Sequence, residues 1–144
     1  MPESGGVKTG TSSVLVLDSW AVLAWVNNEP AAPQVRQLLR KARKRELLLL
    51  LSIFNYGEFL YMIERRNGID EAADTANRVD QLAVQVIPAD RPLVFEAAHL
   101  KARYPISYAD AFAAALAKRY KASVITGDLE FKALEREVAI HWLR

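Results

Sequence analysis

The chain has 144 residues, of which 51% are hydrophobic, 25% charged and 9% aromatic, the proportions of one ordinary globular domain and not of a disordered chain. Its net charge is only +2, from 19 Lys and Arg against 17 Asp and Glu, and it has no cysteine, which excludes thiol catalysis, disulfides and any Cys-bearing zinc site. The longest apolar run, Leu47 to Phe54, is broken by Ser52 and falls well short of the roughly 20 residues of a membrane span; Val14-Leu15-Val16-Leu17, ending in Asp18, is too short for a signal-peptide core, so a cytoplasmic protein is expected.

Residues 1–12 are small, polar and Gly-rich and read as a flexible leader to a domain over 13–144. Val14 to Leu17 reads as the first strand. Glu29-Pro30 interrupts the next segment, and Ala31 to Lys44 has helical spacing through Val35, Leu38, Leu39 and Ala42. Leu47 to Ile53 does not alternate and so reads as a strand buried on both faces. Asn55 to Arg66 predicts a helix closed by Asn67-Gly68, and Asp70 to Leu82 a second one. Val84 to Pro88 is a short strand, Arg91 to Arg103 a helix ending before Tyr104-Pro105, and Ser107 to Tyr120 an Ala-rich helix. Ser123 to Thr126 predicts a strand, Leu129 to Arg136 a helix, and Val138 to Trp142 the last strand. Strands alternating with helices predict one α/β domain, a mainly parallel twisted sheet of about five strands with helices on both faces.

Charge placement is uneven. Arg36, Arg40, Lys41, Arg43, Lys44 and Arg45 lie within ten positions, with no acid before Glu46. Such a run is an electrostatic footprint for a nucleic acid or the solvated face of an amphipathic helix.

Four acids stand where chemistry in such a fold stands. Asp18 follows the first strand, Glu58 lies in the first turn of the helix after the second strand, Asp110 opens the Ala-rich helix, and Asp128 follows the strand Ser123 to Thr126. Ligands of open parallel sheets bind outside the carboxyl ends of the strands. Singly, each acid has a plainer reading. Asn55-Tyr-Gly-Glu58 and Ser107-Tyr-Ala-Asp110 fit capping boxes, Asp128 fits an N-cap, and Asp18 fits a neighbour of a Ser19 cap. Together the plain reading weakens. Asp110 precedes Ala111-Phe-Ala-Ala-Ala-Leu-Ala, a turn expected against the core, where a lone carboxylate is costly. Carboxylates sharing a hard cation, Mg2+ or Mn2+, avoid that cost.

With Val-Leu-Asp18-Ser19, Asn55-Tyr-Gly-Glu58, Ser107-Tyr-Ala-Asp110-Ala-Phe-Ala-Ala-Ala-Leu-Ala and Thr126-Gly-Asp128-Leu-Glu-Phe131 in this order, the chain resembles the PIN-domain nucleases, and more narrowly the VapC-type toxins of toxin–antitoxin pairs. The resemblance runs from Val14 to Leu143. It implies that Asp18, Glu58 and Asp110 hold the main metal, and that Asp128 completes the cluster or helps hold a second ion. Thr126 would bond a water on the metal or an acidic neighbour, and Ser19 takes the small hydroxyl position after the first Asp. Trp20 is bulkier than many members carry next. The resemblance further implies an endoribonuclease leaving a 3′-hydroxyl and a 5′-phosphate, a homodimer, and a small antitoxin that covers the acidic cleft, with an Arg among the carboxylates.

Other residues have plainer readings. His99 and His141 lack a second ligand at useful spacing. Trp25, Tyr56, Tyr61, Phe95 and Phe112 are expected in the core, Asp90 as an N-cap, and Tyr108 as core or as a base-stacking ring beside Asp110. Arg65 and Arg66 would meet their helix's C-terminal dipole or extend a phosphate-binding surface. A phosphoacceptor receiver domain also gathers acids at strand ends, but it needs adjacent acids after its first strand and a late Lys, and neither is present. The remaining alternatives are a stand-alone RNA-processing nuclease, a non-catalytic RNA-binding module, and a relative acting on structured DNA, for whose added elements the chain is short.

Overall fold

The computed structural model describes residues 13–144; the leader expected over residues 1–12 lies outside the described residues. The element order is β1 (Ser13–Leu17), α1 (Ser19–Val26), α2 (Ala32–Arg43), β2 (Leu47–Ser52), α3 (Ile53–Asn67), α4 (Ile69–Asp80), β3 (Val84–Ile87), α5 (Arg91–Arg103), α6 (Tyr108–Tyr120), β4 (Ser123–Thr126), a 3-10 helix (Leu129–Leu134) and β5 (Ala139–Trp142). The five strands form one sheet in the order β3-β2-β1-β4-β5, and every pairing is parallel. The predicted α/β architecture is the observed one.

Strand side chains alternate between two cores, so each central strand must be apolar throughout. Leu15, Leu17, Leu49, Leu51 and Ile125 pack beneath α1 to α4. Val16, Leu50 and Val124 point the other way, to Phe112, Leu116, Phe131 and Leu134 of α6 and the 3-10 helix. The Ala-rich α6 buries every residue from Ala109 to Ala117, because small side chains let a helix lie close against the sheet. The chain leaves β1 to one side and β4 to the other, so the crevice between their carboxyl ends is the topological switch point.

Three expected elements differ in detail. The second strand stops at Ser52, whose side chain accepts from the Phe54 N–H and caps α3. Ile53 is therefore the first helical residue, Glu58 stands in the second turn rather than the first, and Asn55 is not a cap. The segment after Asp128 is a 3-10 helix of six residues, not an α-helix to Arg136. Phe131 and Leu134, three apart, both enter the core, a spacing that eclipsed 3-10 turns satisfy. Asp18 itself, not Ser19, is the N-cap of α1.

The expected aromatic core is also divided. Phe112 is fully buried, whereas Tyr61 is 50% and Phe95 61% exposed. Each exposed ring is covered by a guanidinium from its own helix, Arg65 over Tyr61 and Arg91 over Phe95, an arrangement stable at a wet surface. Trp25 and Tyr56 are half-buried against the first core. Asp90 caps α5 by accepting from the Leu93 N–H, as its position predicts.

Candidate metal centre

Asp18 follows β1 directly and Asp128 stands two residues beyond β4, adjacent parallel strands in which Leu17 pairs with Ile125, so both acids fall at the switch point. Each caps the helix that follows. An Asp18 oxygen accepts from the Ala21 N–H at 2.8 Å, and an Asp128 oxygen accepts from the Glu130 N–H at 2.9 Å. Capping engages one oxygen of each carboxylate and fixes its direction. The plain reading and the functional one are thus compatible. Thr126 joins the pair. Its hydroxyl accepts from the Asp128 N–H at 2.9 Å and also acts on the Asp18 carboxyl, favouring its ionised form.

Asp110 arrives from α6, held in the first turn because its N–H donates to the Ser107 hydroxyl, the helix cap. Its carboxyl, that of Asp128 and that of Glu130 each bring an oxygen within 4.8 Å of the others, a separation one cation can span. Glu130 is not among the acids the sequence singles out. Its signal is the Asp-x-Glu spacing after a strand, legible only once a tight 3-10 turn is known to fold the second acid back on the first. Glu58 projects from α3 at the rim, close enough for its charge to act on Asp110. The structure therefore brings Asp110, Asp128 and Glu130 within reach of one cation, while Asp18 and Glu58 stand outside that group, Asp18 near enough to feel the charges of Asp110 and Asp128 and Glu58 near enough to act on Asp110.

The electrostatics are unfavourable as they stand. Burial, with Asp110 and Asp128 nearby, pushes the Asp18 carboxyl up to about 8 despite its bonds to Thr126 and Ala21. Burial and the charges of Asp128, Glu58 and Glu130 push Asp110 up to about 7. Arg103, Lys118 and Arg119 form their ion pairs elsewhere, with Asp90, Glu96 and Glu137. Hard oxygen donors, crowded and partly desolvated, fit a divalent cation.

Trp20 shapes the wall beside the acids. A side chain on Gly127, between Thr126 and Asp128, would overlap the Trp20 ring. The glycine is thus the close approach that seats α1 against the Asp128 turn, and Trp20 is partly buried against the first core. Ser19 is buried and donates its hydroxyl to the Asn55 carbonyl at 3.3 Å.

The basic run lies elsewhere. Arg36, Arg40, Lys41 and Arg43 belong to α2, whose Val35, Leu38, Leu39 and Ala42 are buried; Lys44 and Arg45 lead into β2 at its first residue. Because β1 and β2 are parallel, that is the amino edge of the sheet, opposite the acids. Arg36, Arg40 and Arg43 border a depression of about 560 Å³ shared with Trp25 and Gln81 to Ala83. Arg65 and Arg66 line another, of about 450 Å³, with Trp20, Leu23 and Tyr61 between α1 and α3. His99 and His141 are exposed and outside the acidic group.

Comparison with known proteins agrees with this architecture. The PIN-domain family profile matches residues 15–137. The structure is similar to VapBC2 from Rickettsia felis bound to a DNA fragment from its promoter, with a TM-score of 0.74, 14% identity and coverage of 91% of this chain and 99% of that one. It is similar to Mycobacterium tuberculosis VapC20, described as a sarcin-ricin-loop-cleaving toxin, with a TM-score of 0.68, 19% identity and coverage of 83% and 93%. VapBC-1 from nontypeable Haemophilus influenzae gives 0.67, 19%, 90% and 97%. No curated protein matches the chain in sequence. The profile spans both strand-end acids, Glu58 and the whole Ala-rich helix, and the chain belongs to the PIN-domain family.

Proposed function

We propose that this chain is a metal-dependent endoribonuclease, the toxin of a toxin–antitoxin pair, acting in the cytoplasm. The observation that supports it most is the approach of Asp110, Asp128 and Glu130 to within 4.8 Å of one another, with Asp18 and Glu58 near enough for their charges to interact with the group, apart from the ion pairs on Asp90, Glu96 and Glu137. Asp18, Glu58, Asp110 and Asp128 would hold Mg2+ or Mn2+, with Glu130 as a fifth acid. Such an ion, when bound, stabilises charge on the phosphate and supplies a nucleophilic water.

The chain's own residues orient and select. Thr126 and the Ala21 N–H hold Asp18 in one rotamer. The starts of α1, α3 and α6 turn toward the cluster, and their positive ends reduce its repulsion. At the rim, Phe54 stacks on buried Phe112 with ring centroids 3.9 Å apart, and Tyr108 lies tilted against both. Phe54 and Tyr108 are 43% and 39% exposed, faces on which unpaired bases stack. Single-stranded or loop RNA is therefore the substrate class, since its bases can unstack.

A similar structure from Klebsiella pneumoniae is a toxin–antitoxin complex, and VapBC-5 from Mycobacterium tuberculosis belongs to the VapBC family of toxin–antitoxin systems. Here the exposed Ile53, Phe54, Tyr61 and Met62 of α3 offer apolar area to a second copy and to an antitoxin segment whose Arg would meet the carboxylates. The basic run, at the far edge, would engage flanking phosphates.

The experiment is cleavage of a loop RNA in EDTA, followed by addition of Mg2+ or Mn2+. Chelation abolishes cleavage and either ion restores it; undiminished cleavage in excess EDTA overturns the reading. Co-expression with a cognate antitoxin yields a stable complex and relieves toxicity, whereas recovery of free monomer alone counts against both partners.

A further inference from the structure

Asn55 is fully buried near the middle of the molecule, in the first half of α3. A buried amide in a helix is ordinarily a liability, and here part of it goes unmet: Oδ1 has no partner. An apolar residue of similar size would avoid that cost, so the amide must be retained for its donors. Both donors are in use. Nδ2 donates to the Ser19 hydroxyl at 3.1 Å and to the Ala109 carbonyl at 3.2 Å. The Ser19 hydroxyl gives its own proton to the Asn55 carbonyl, so toward the side chain it can only accept, and Ala109 offers only a carbonyl. Two acceptors converge on one point, and a two-proton fork is the group that satisfies them. The reverse amide orientation would set Oδ1 against the Ala109 oxygen, so the chemistry fixes which end points where.

The partners are 36 and 54 residues away in sequence, and each adjoins an acid. Ser19 follows Asp18, Ala109 precedes Asp110, and Asn55 lies three residues before Glu58 on its own helix. One side chain therefore ties together the starts of α1, α3 and α6.

We propose that Asn55 is the positioning residue of the acidic centre, holding Asp18, Glu58 and Asp110 in one mutual arrangement so that a divalent cation enters without rearrangement of the three helices. The inference rests on the metal-dependent reading above. The amide fork fixes the spacing of the three helix starts through its two bonds, to Ser19 and to Ala109, whether or not a cation is present. Asn55 cannot touch RNA, because it is completely enclosed, so it acts only through the acids.

The test is Mn2+ binding to the full chain without RNA, read as free Mn2+ by electron paramagnetic resonance, for wild type, Asn55→Ala, Ser19→Ala and the double variant. Loss of a supporting hydrogen bond behind metal ligands weakens affinity by about 10–100-fold, and that loss is expected for Asn55→Ala. Ser19→Ala keeps the bond to Ala109, so it is the milder change that keeps the test open should Asn55→Ala fail to fold, and it weakens Mn2+ binding less. In the double variant the two effects are not additive, because they remove the same bond. At saturating Mn2+, Asn55→Ala lowers kcat and leaves KM for RNA unchanged. Variants that melt earlier but bind Mn2+ as tightly as wild type make Asn55 a packing residue and overturn the inference alone. Wild type that binds no Mn2+ overturns the metal reading and this inference with it.

Discussion

Two groups of carboxylates in this molecule have opposite fates. Glu137, before β5, accepts from the Tyr104 hydroxyl at 2.6 Å, from Lys118 at 2.9 Å and from Arg103 at 3.1 Å. These donors hold it down at about 2, and it clamps the ends of α5 and α6 to the approach to β5. Asp18 and Asp110, at the carboxyl edge, are deeper, have fewer donors and face other acids, and they are pushed up to about 8 and about 7. The first group is satisfied by the fold that contains it. The second stays unsatisfied until something from outside arrives, and a fold that keeps such a defect keeps it for binding.

The contrast is broken most sharply by activity. Asp18→Asn and Asp110→Asn each lower RNA cleavage by about 10²–10³-fold, the scale on which a principal electrostatic stabiliser is lost, while Glu137→Gln cleaves near the wild-type rate. Equal losses in all three, in a single-turnover assay, would erase the distinction. Next in size, Glu130→Gln weakens Mn2+ binding by about 10-fold, measured by titration calorimetry; unchanged affinity would return Glu130 to the role of a surface acid in a 3-10 turn.

Stability separates the groups by sign. Without metal, Asp18→Asn removes repulsion and raises the melting temperature by about 2–4 °C, or about 1 kcal/mol, and it loses most of the stabilisation that Mg2+ gives wild type. Glu137→Gln leaves its donors poorly matched and lowers the melting temperature. The pH profile has the same structure. Asp18 and Asp110 remain protonated in the folded chain where the unfolded chain ionises near pH 4, so the folded state binds more protons, and apo stability falls as pH rises from about 4 to about 8. Glu137 is the reverse: its stabilisation is present above its unfolded value of 4.5 and is lost as pH falls toward about 2. Apo melting curves across pH 3 to 9, in which Asp18→Asn flattens only the neutral side and Glu137→Gln only the acid side, check both.

The smallest effect concerns the opposite edge of the sheet. Gln in place of Arg40, Lys41 and Lys44 flattens the salt dependence of RNA binding by about 0.7 in log–log slope for each phosphate the side chains no longer neutralise. An unchanged slope assigns the run to the solvated face of α2.

Much of this is legible in the chain alone. The unalternating Leu47 to Ser52 can only be a strand covered on both faces, and the rhythm of strand and helix then dictates a parallel sheet with its acids at the carboxyl edge. Asp18, Asp110 and Asp128 are readable because strand ends and helix starts are local features, set by patterns a few residues long. What sequence does not decide is how residues far apart in the chain meet. Asn55 reads as a cap because its neighbours fit a capping box, yet Ser52 takes that role and the amide is claimed by Ser19 and Ala109. Glu130 is not singled out in the sequence, and only the 3-10 turn brings it to Asp128. Tyr61 and Phe95 read as core until the helices turn their rings outward beneath arginines. Periodicity says which residues can be buried together; only the packed helices decide which atoms come within bonding distance, because that depends on register and rotation between elements, which no local pattern encodes.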